Sequence, residues 1–571
     1  MAAAEVSGDG VADRFDAMYE FEREPVTPDR LESARHFAAV FAGEHVAGTE
    51  FVIGALFVSW GASAADVLLG LVVGNLLAVL SWTLVCAPIA VHTRLTLYWY
   101  LRRIAGPTVT TLYNVLNAIL FCVLSGTMIT VSASAVRIPF GIPAQTNWYP
   151  QDPRFVLLVI IVGAVVVGVA ILGFRRMAQF SEICVPWIFC MFIAGALVML
   201  PALASATPGV DRVTSLSDAW QIADQMVWVR APESEIGFWH VAAFAWICNL
   251  AFHVGLSDMA LLRYAPRASY GLLSACGMYL GHFLAWICAG VMGAAAALLI
   301  RTPLDQLDAG AVAYQSLGIS GALAVIVAGW ATSNPTLYRA GLALQAVTPG
   351  WPRWLVTLIA GVATTTIACF PFVFTRLLEF VGLFGILLLP VGAIVFVEHW
   401  IFPKVGLQQY WAGLSGHSTN WPALISWFGA IAVALTLWLT ETLQLFFLAL
   451  PIWALTAFTY TVLAAIGGAR ESFADIDPMS ETTQREPLRT SSTETTRTPP
   501  AKKTTLFRFV GWFALMTLLM AVGSSFWVFA SDSESYDARL TVFHRWLGCL
   551  SVAHLAALTF WVLRRETGRD V

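Results

Sequence analysis

A chain of 571 residues in which 58% are hydrophobic and only 12% charged cannot be wrapped in water on every side, because soluble domains carry about 25% charged residues. Mean hydropathy is +0.72. The formal net charge of −4 provides no basic surface for nucleic acid. Nine cysteines are present without a CxxC pair. Cys122, Cys248, Cys276 and Cys288 lie in apolar runs and read as small core residues, not as a disulfide framework or a zinc site.

Residues 1–36 are polar and acidic (Glu5, Asp9, Asp13, Asp16, Glu20, Glu22, Glu24) and read as a cytoplasmic segment. They lack the basic start and apolar run of a signal peptide, so insertion is expected to depend on the first membrane segment. A helix needs about 20 apolar residues to cross the hydrocarbon core, and runs without strand alternation select helices. Such runs fall near 37–61, 66–91, 108–133, 155–173, 181–204, 238–262, 270–300, 319–345, 354–371, 376–400, 421–440 and 445–467, then 507–530 and 546–563. The predicted fold is therefore all-α and polytopic, with a twelve-helix core over 37–467 and a two-helix appendage over 507–571. Residues 468–506, rich in Ser, Thr, Pro and charge, read as a disordered linker. Deleting residues 470–571 is expected to leave the core folded, since few contacts should cross such a boundary.

Basic residues favour both termini in the cytoplasm of a multi-pass cell (inner) membrane protein. Arg94, Arg102, Arg103, Arg175, Arg176, Arg263, Arg267, Arg353 and Lys404 fall on one side, against Arg137, Arg212, Arg301 and Arg539 on the other.

Polar residues inside the bilayer are candidates for function. The first span holds Gly43-Glu44-His45-Val46-Ala47-Gly48-Thr49-Glu50, where glycines loosen the helix and free carbonyls for a cation or a solute. The competing reading starts the helix at Thr49, with Glu50 in its first turn. The sixth span holds Trp246, Asn249, Phe252 and His253 around Gly255. Asp258, near Arg263, reads as half of a structural ion pair. The eighth span holds Thr332-Ser333-Asn334-Pro335-Thr336, whose hydroxyls suit a small cation or bond back to their own helix. His554 in the appendage reads as interhelical glue.

These residues resemble the nucleobase–cation symporter family, the purine–cytosine permease-like transporters, nearest the cytosine permease branch. The parts are Asp66 with Gly74-Asn75-Leu76-Leu77, Leu95 to Gly106, Leu256 to Tyr264, Trp330-Ala331-Thr332-Ser333-Asn334 followed by Leu337-Tyr338 and Gly341-Leu342, and Pro390-Val391-Gly392 with Glu398. The resemblance covers roughly residues 37–467. It implies a LeuT-type core of two inverted five-helix repeats plus two helices, with the broken first and sixth spans flanking the solute. It further implies that Phe121 stacks on the solute ring, that Ser125 lies one turn on, and that Phe252 and His253 fall near a second stacking position. Thr332 takes the place of one sodium-binding hydroxyl, beside first-span carbonyls from Val46 to Glu50. Ala331 stands where the second hydroxyl belongs.

The expected function is secondary active symport of a nucleobase or similar small polar nitrogen-containing solute, driven by Na+ or H+. The expected solute site is Glu50, Phe121, Ser125, Asn249, Phe252 and His253. The cation site is Val46, Thr49, Thr332 and Ser333, and His45 and Glu50 couple protons. No HExxH, GxSxG or GxxxxGK[ST] pattern appears, so neither an enzyme nor an ATP-driven pump is expected and no cofactor is implied. The alternative is a membrane-embedded sensor or channel built on a transporter core.

Overall fold

The computed structural model describes residues 20–145, 147–304, 307–372, 377–471 and 505–567. Among these residues there is no strand, and helix occupies every one of the fourteen segments expected to span. Among the described residues ten helices are long and apolar enough to cross a membrane, and the bent pair Ala34–His45 and Glu50–Ser59, taken as one span, makes an eleventh. The other segments depart from that pattern for local reasons. The sixth is broken into Phe238–Ile247, Leu250–His253 and Met259–Leu262. The eighth, Ile319–Val347, carries an arginine and a polar run, and the ninth, Arg353–Ala368, has 16 residues. Of the expected linker, 468–506, residues 472–504 lie outside the described residues, and residues 505–506 already belong to the helix Thr505–Phe529.

Small residues set the closest helix contacts, as expected where lipid removes the hydrophobic incentive for helices to associate. The third span (Leu97–Val136) and the eighth exchange hydroxyl bonds: Ser125 Oγ donates to the Ser333 carbonyl (3.2 Å) and Ser333 Oγ to the Ser125 carbonyl (3.4 Å). Gly48 lies where a Cβ would come 2.8 Å from the Val325 carbonyl. The third-span helix begins at Leu97, eleven residues before the apolar run at 108 suggests, and kinks at Gly106, whose φ of 75° suits glycine, ahead of Pro107.

The segment before the first span is tied across one end of the bundle. Val26 N–H donates to the Arg94 carbonyl (3.1 Å), Glu32 N–H to the Tyr264 carbonyl (3.0 Å) and Arg23 to the Gln345 carbonyl (2.7 Å). The Glu20 carboxylate accepts from Tyr264 (2.7 Å) and Tyr338 (2.8 Å). Arg263 donates to the carbonyls of Phe21 (2.5 Å) and Glu20 (2.6 Å). The expected Asp258–Arg263 ion pair is therefore corrected: Arg263 is spent on the N-terminal segment, and Asp258 turns inward to another arginine. Glu22 faces Arg353 at 3.8 Å, and burial pushes its carboxyl above the usual range.

The last two helices, Thr505–Phe529 and Tyr536–Thr567, pack on each other and on the fifth span, Phe174–Ala206. Trp187 Nε1 donates to Ser551 Oγ (3.0 Å), the Tyr536 hydroxyl to the Val198 carbonyl (3.0 Å), and Arg565 pairs with Glu182. His554 Nδ1 lies 2.9 Å from the Ala514 carbonyl, between the two helices. Contacts do cross the boundary, contrary to the sequence expectation, because these helices cover apolar and polar groups of the fifth span. Deleting residues 470–571 is expected to give a core that folds but melts about 5 °C lower in detergent, checked by a thermal melt of the purified protein. An unchanged melting temperature would show that the fifth-span face is equally stable against detergent.

Candidate functional site

Two helix breaks face one another in the middle of the bundle. In the first span the helix ends at His45 and resumes at Glu50, the two halves inclined by 51°. In the sixth span Asn249 (φ −115°, ψ 22°) interrupts the helix, and Leu256 adopts a left-handed φ of 64°. Tenth-span Gly392 lets its helix lie against the Val254 carbonyl at this break, a contact that any Cβ would block. Between the breaks lie two polar clusters and an aromatic pair.

The first cluster is an ion triad. Arg339 of the eighth span is fully buried, and its guanidinium binds Glu44 in a bidentate pair (Nη1–Oε1 2.5 Å, Nη2–Oε2 3.0 Å). Its Nη2 also bonds Asp258. Asp258 accepts a further bond from Trp82 Nε1 (2.5 Å) of the second span. A buried charge is tolerated only when paired and hydrogen-bonded, and these partners meet that requirement. The triad thus joins the first-span break to the far side of the sixth-span break through the eighth span.

The second cluster holds groups that can carry a proton. Glu50 accepts a bond from Trp286 Nε1, lies 3.5 Å from Thr49 Oγ1 and faces His282 Nε2 at 3.9 Å. His282 stacks on Trp286 (ring centroids 4.1 Å) and meets His45 edge-on (5.0 Å). Its Nδ1 is 3.4 Å from Asn249 Nδ2. His282 sits in a π-helical stretch, Cys276–Ala285, a distortion common at functional sites. Glycines 277 and 281 in that stretch let it approach His45 closely. His45 Nδ1 is bonded to the Phe41 carbonyl (2.7 Å), whereas its buried Nε2 has no hydrogen-bond partner among the described residues. His253 turns away to the Trp246 carbonyl (3.0 Å) and packs against Trp82 (4.8 Å).

The aromatic pair is Phe121 and Phe252, with ring centroids 5.7 Å apart and both rings buried. Tenth-span Phe384 meets Phe121 edge-on at 5.2 Å. The Arg339 guanidinium lies 4.6 Å from the Phe252 centroid and 5.9 Å from that of Phe121. Phe121, Phe252 and the triad therefore form one contiguous site, while Asn249, His45 and Glu50 lie together on its other flank, and His253 adjoins both through the Trp82 indole.

The expected cation ligands divide. Thr332 Oγ1 lies within hydrogen-bond reach of first-span carbonyls, but those of Glu44 (3.1 Å) and Gly43 (3.4 Å), ahead of the Val46–Glu50 stretch, and of Ala328 (3.1 Å) in its own helix, and its one proton goes to one of the three. Val46 is buried at the break. The Thr49 carbonyl is committed to the N–H groups of Val52 and Ile53 (both 2.9 Å). Ser333 turns to the third span and Ser125, so it is not gathered with the first-span carbonyls.

No protein-family model and no curated protein sequence matches the chain. Solved structures do. Mhp1, a nucleobase-cation-symport-1 family transporter, in its closed form with bromovinylhydantoin bound, aligns with a TM-score of 0.62 over 80% of this chain and 98% of that one, at 15% identity. The chain has the LeuT-type fold. The inward-facing form of Mhp1 aligns with a TM-score of 0.57 over 80% of this chain and 97% of that one, at 16% identity. A Na+-coupled sialic acid symporter in its substrate-bound, outward-open state also gives 0.57, over 81% and 97%, at 14% identity. This agreement bears out the predicted all-α, inverted-repeat architecture, with the first and sixth spans as its broken pair.

Proposed function

We propose that this chain is a secondary active carrier that moves a small, planar, nitrogen-containing solute across the membrane, with nucleobases as the leading class and a proton as the coupling ion. One observation carries the reading: Phe121 and Phe252 stand between two helix breaks, with the Arg339 guanidinium and its carboxylate partners against them. Aromatic faces bind a flat ring, and a few directed polar groups select among rings. Mhp1, which shares the fold, is a nucleobase-cation-symport-1 family transporter, and that supports the class of solute. His45, His282 and Glu50 supply a titratable chain beside the first-span break, suited to taking up a proton on one side and releasing it on the other. The face carrying the N-terminal segment is then cytoplasmic.

Uptake of labelled uracil, cytosine, hypoxanthine and hydantoin into proteoliposomes tests the assignment. Phe121→Ala is expected to lower uptake of the preferred ring about tenfold, the effect of losing one stacking contact. Unchanged uptake in that variant would remove the aromatic pair from the solute site.

A further inference from the structure

Thr332 is the hydroxyl that reaches the first-span break, where its single proton has the carbonyls of Glu44, Gly43 and Ala328 within reach. Ala331 beside it has no side-chain oxygen, and Ser333 is turned to the third span. A hard cation is held by several converging oxygens. Thr332 is therefore the one residue of the 331–333 run whose side-chain oxygen faces the first span, and the same two spans are joined about two turns further on by a full positive charge, that of Arg339.

We propose that Arg339 is a tethered cation: it ties the broken first span to the broken sixth span across the eighth, so that closing this junction needs no inorganic ion. Three observations converge on it. The guanidinium binds carboxylates from both broken spans, Glu44 in a two-point fork and Asp258 from the other side. All three side chains are almost wholly shielded, with side-chain exposures of 0% for Arg339 and Asp258 and 4% for Glu44. The same guanidinium lies over the Phe252 ring, so the charge holding the junction also touches the aromatic pair. A planar, permanently charged fork suits such a site better than an ammonium, which is more strongly hydrated and binds as a point charge. Two carboxylates face one guanidinium here, and the Trp82 N–H on Asp258 meets part of the excess negative charge.

This inference stands on the ion geometry, and its test needs no solute, so it can fail while the transport reading survives. The full-length protein purified in detergent is melted in sodium, potassium or choline chloride at matched ionic strength, and its binding of radioactive sodium is measured directly. The wild type is expected to bind no sodium saturably and to melt within about 1 °C in the three salts, because an ion that binds the native state raises its stability. Arg339→Ala is expected to melt about 10 °C lower and to recover at least half of that loss when methylguanidinium is added, a small cation that refits the fork. Should that variant not be obtained folded, the pair Arg339→Ala with Glu44→Gln, which leaves one carboxylate at the junction, carries the same rescue test. Saturable sodium binding by the wild type that Thr332→Ala removes would overturn the proposal. So would a rescue variant whose melting ignores methylguanidinium and sodium alike, since the arginine would then be filling space and not supplying charge.

Discussion

Arg339→Leu is expected to destabilise the protein by about 3–5 kcal/mol, whereas Glu44→Gln is expected to cost less than about 1 kcal/mol. The asymmetry follows from counting charges in the triad. Both Glu44 oxygens are bound by Arg339, and one Asp258 oxygen is too. Removing the guanidinium strands two carboxylates in a dry interior, and leaving a buried charge unpaired is far more costly than never having placed the pair. Removing the Glu44 charge instead leaves Arg339 paired one-to-one with Asp258, and the glutamine oxygen still accepts from the fork. Denaturant titration of both variants in detergent checks this. Equal losses in the two would show that shape, not charge, holds the junction together.

Glu50→Gln is expected to abolish proton-driven accumulation while leaving downhill exchange of the solute intact. Glutamine keeps an acceptor for Trp286 Nε1 and nearly the same volume, so the packing around His282 survives. What it loses is the only carboxyl facing His282 among the described residues. Without it the His45–His282 pair has no acid with which to exchange a proton, and an imposed pH gradient no longer does work on the solute. The two activities are measured in the same vesicles: accumulation with an inward proton gradient and sodium absent, and exchange of internal for external labelled solute without a gradient. Accumulation that survives the substitution would move proton coupling away from this cluster.

The sequence carried the architecture clearly because bilayer thickness imposes one length on every apolar run, and the glycines at 43 and 48 marked where the first span fails. It carried Phe121 through resemblance alone, whereas Phe252 stood in the sixth-span cluster and took its stacking role from the resemblance. It missed the triad, although the signal was present: Arg339 lies inside the run read as the eighth span, and a buried guanidinium is costly enough to demand partners. Glu44 was visible in the broken stretch, but nothing local distinguishes it from Glu50. Only the fold shows that one carboxylate faces Arg339 and the other Trp286. Asp258 was drawn to Arg263 by proximity in sequence, whereas the left-handed turn at Leu256 rotates it towards the bundle centre. His282 went unread because a lone histidine on an apolar helix usually signals packing, and its partners come from the first and sixth spans. The helix pair at the end of the chain looked separable because the sequence shows its own apolar surface, not the fifth-span groups it covers.

The central claim, that the site between the two breaks couples a flat solute to proton movement, is tested most directly by the solute itself. Proteoliposomes loaded with a pH-sensitive dye, free of sodium and clamped electrically with valinomycin and potassium, are given uracil, cytosine, hypoxanthine or hydantoin in turn. At least one of these rings is expected to acidify the lumen in vesicles bearing the wild-type protein, and to do so neither with Glu50→Gln nor, beyond about a tenth of the rate, with Phe121→Ala. Solute uptake that proceeds without luminal acidification, and that follows an imposed sodium gradient in both variants, would contradict it.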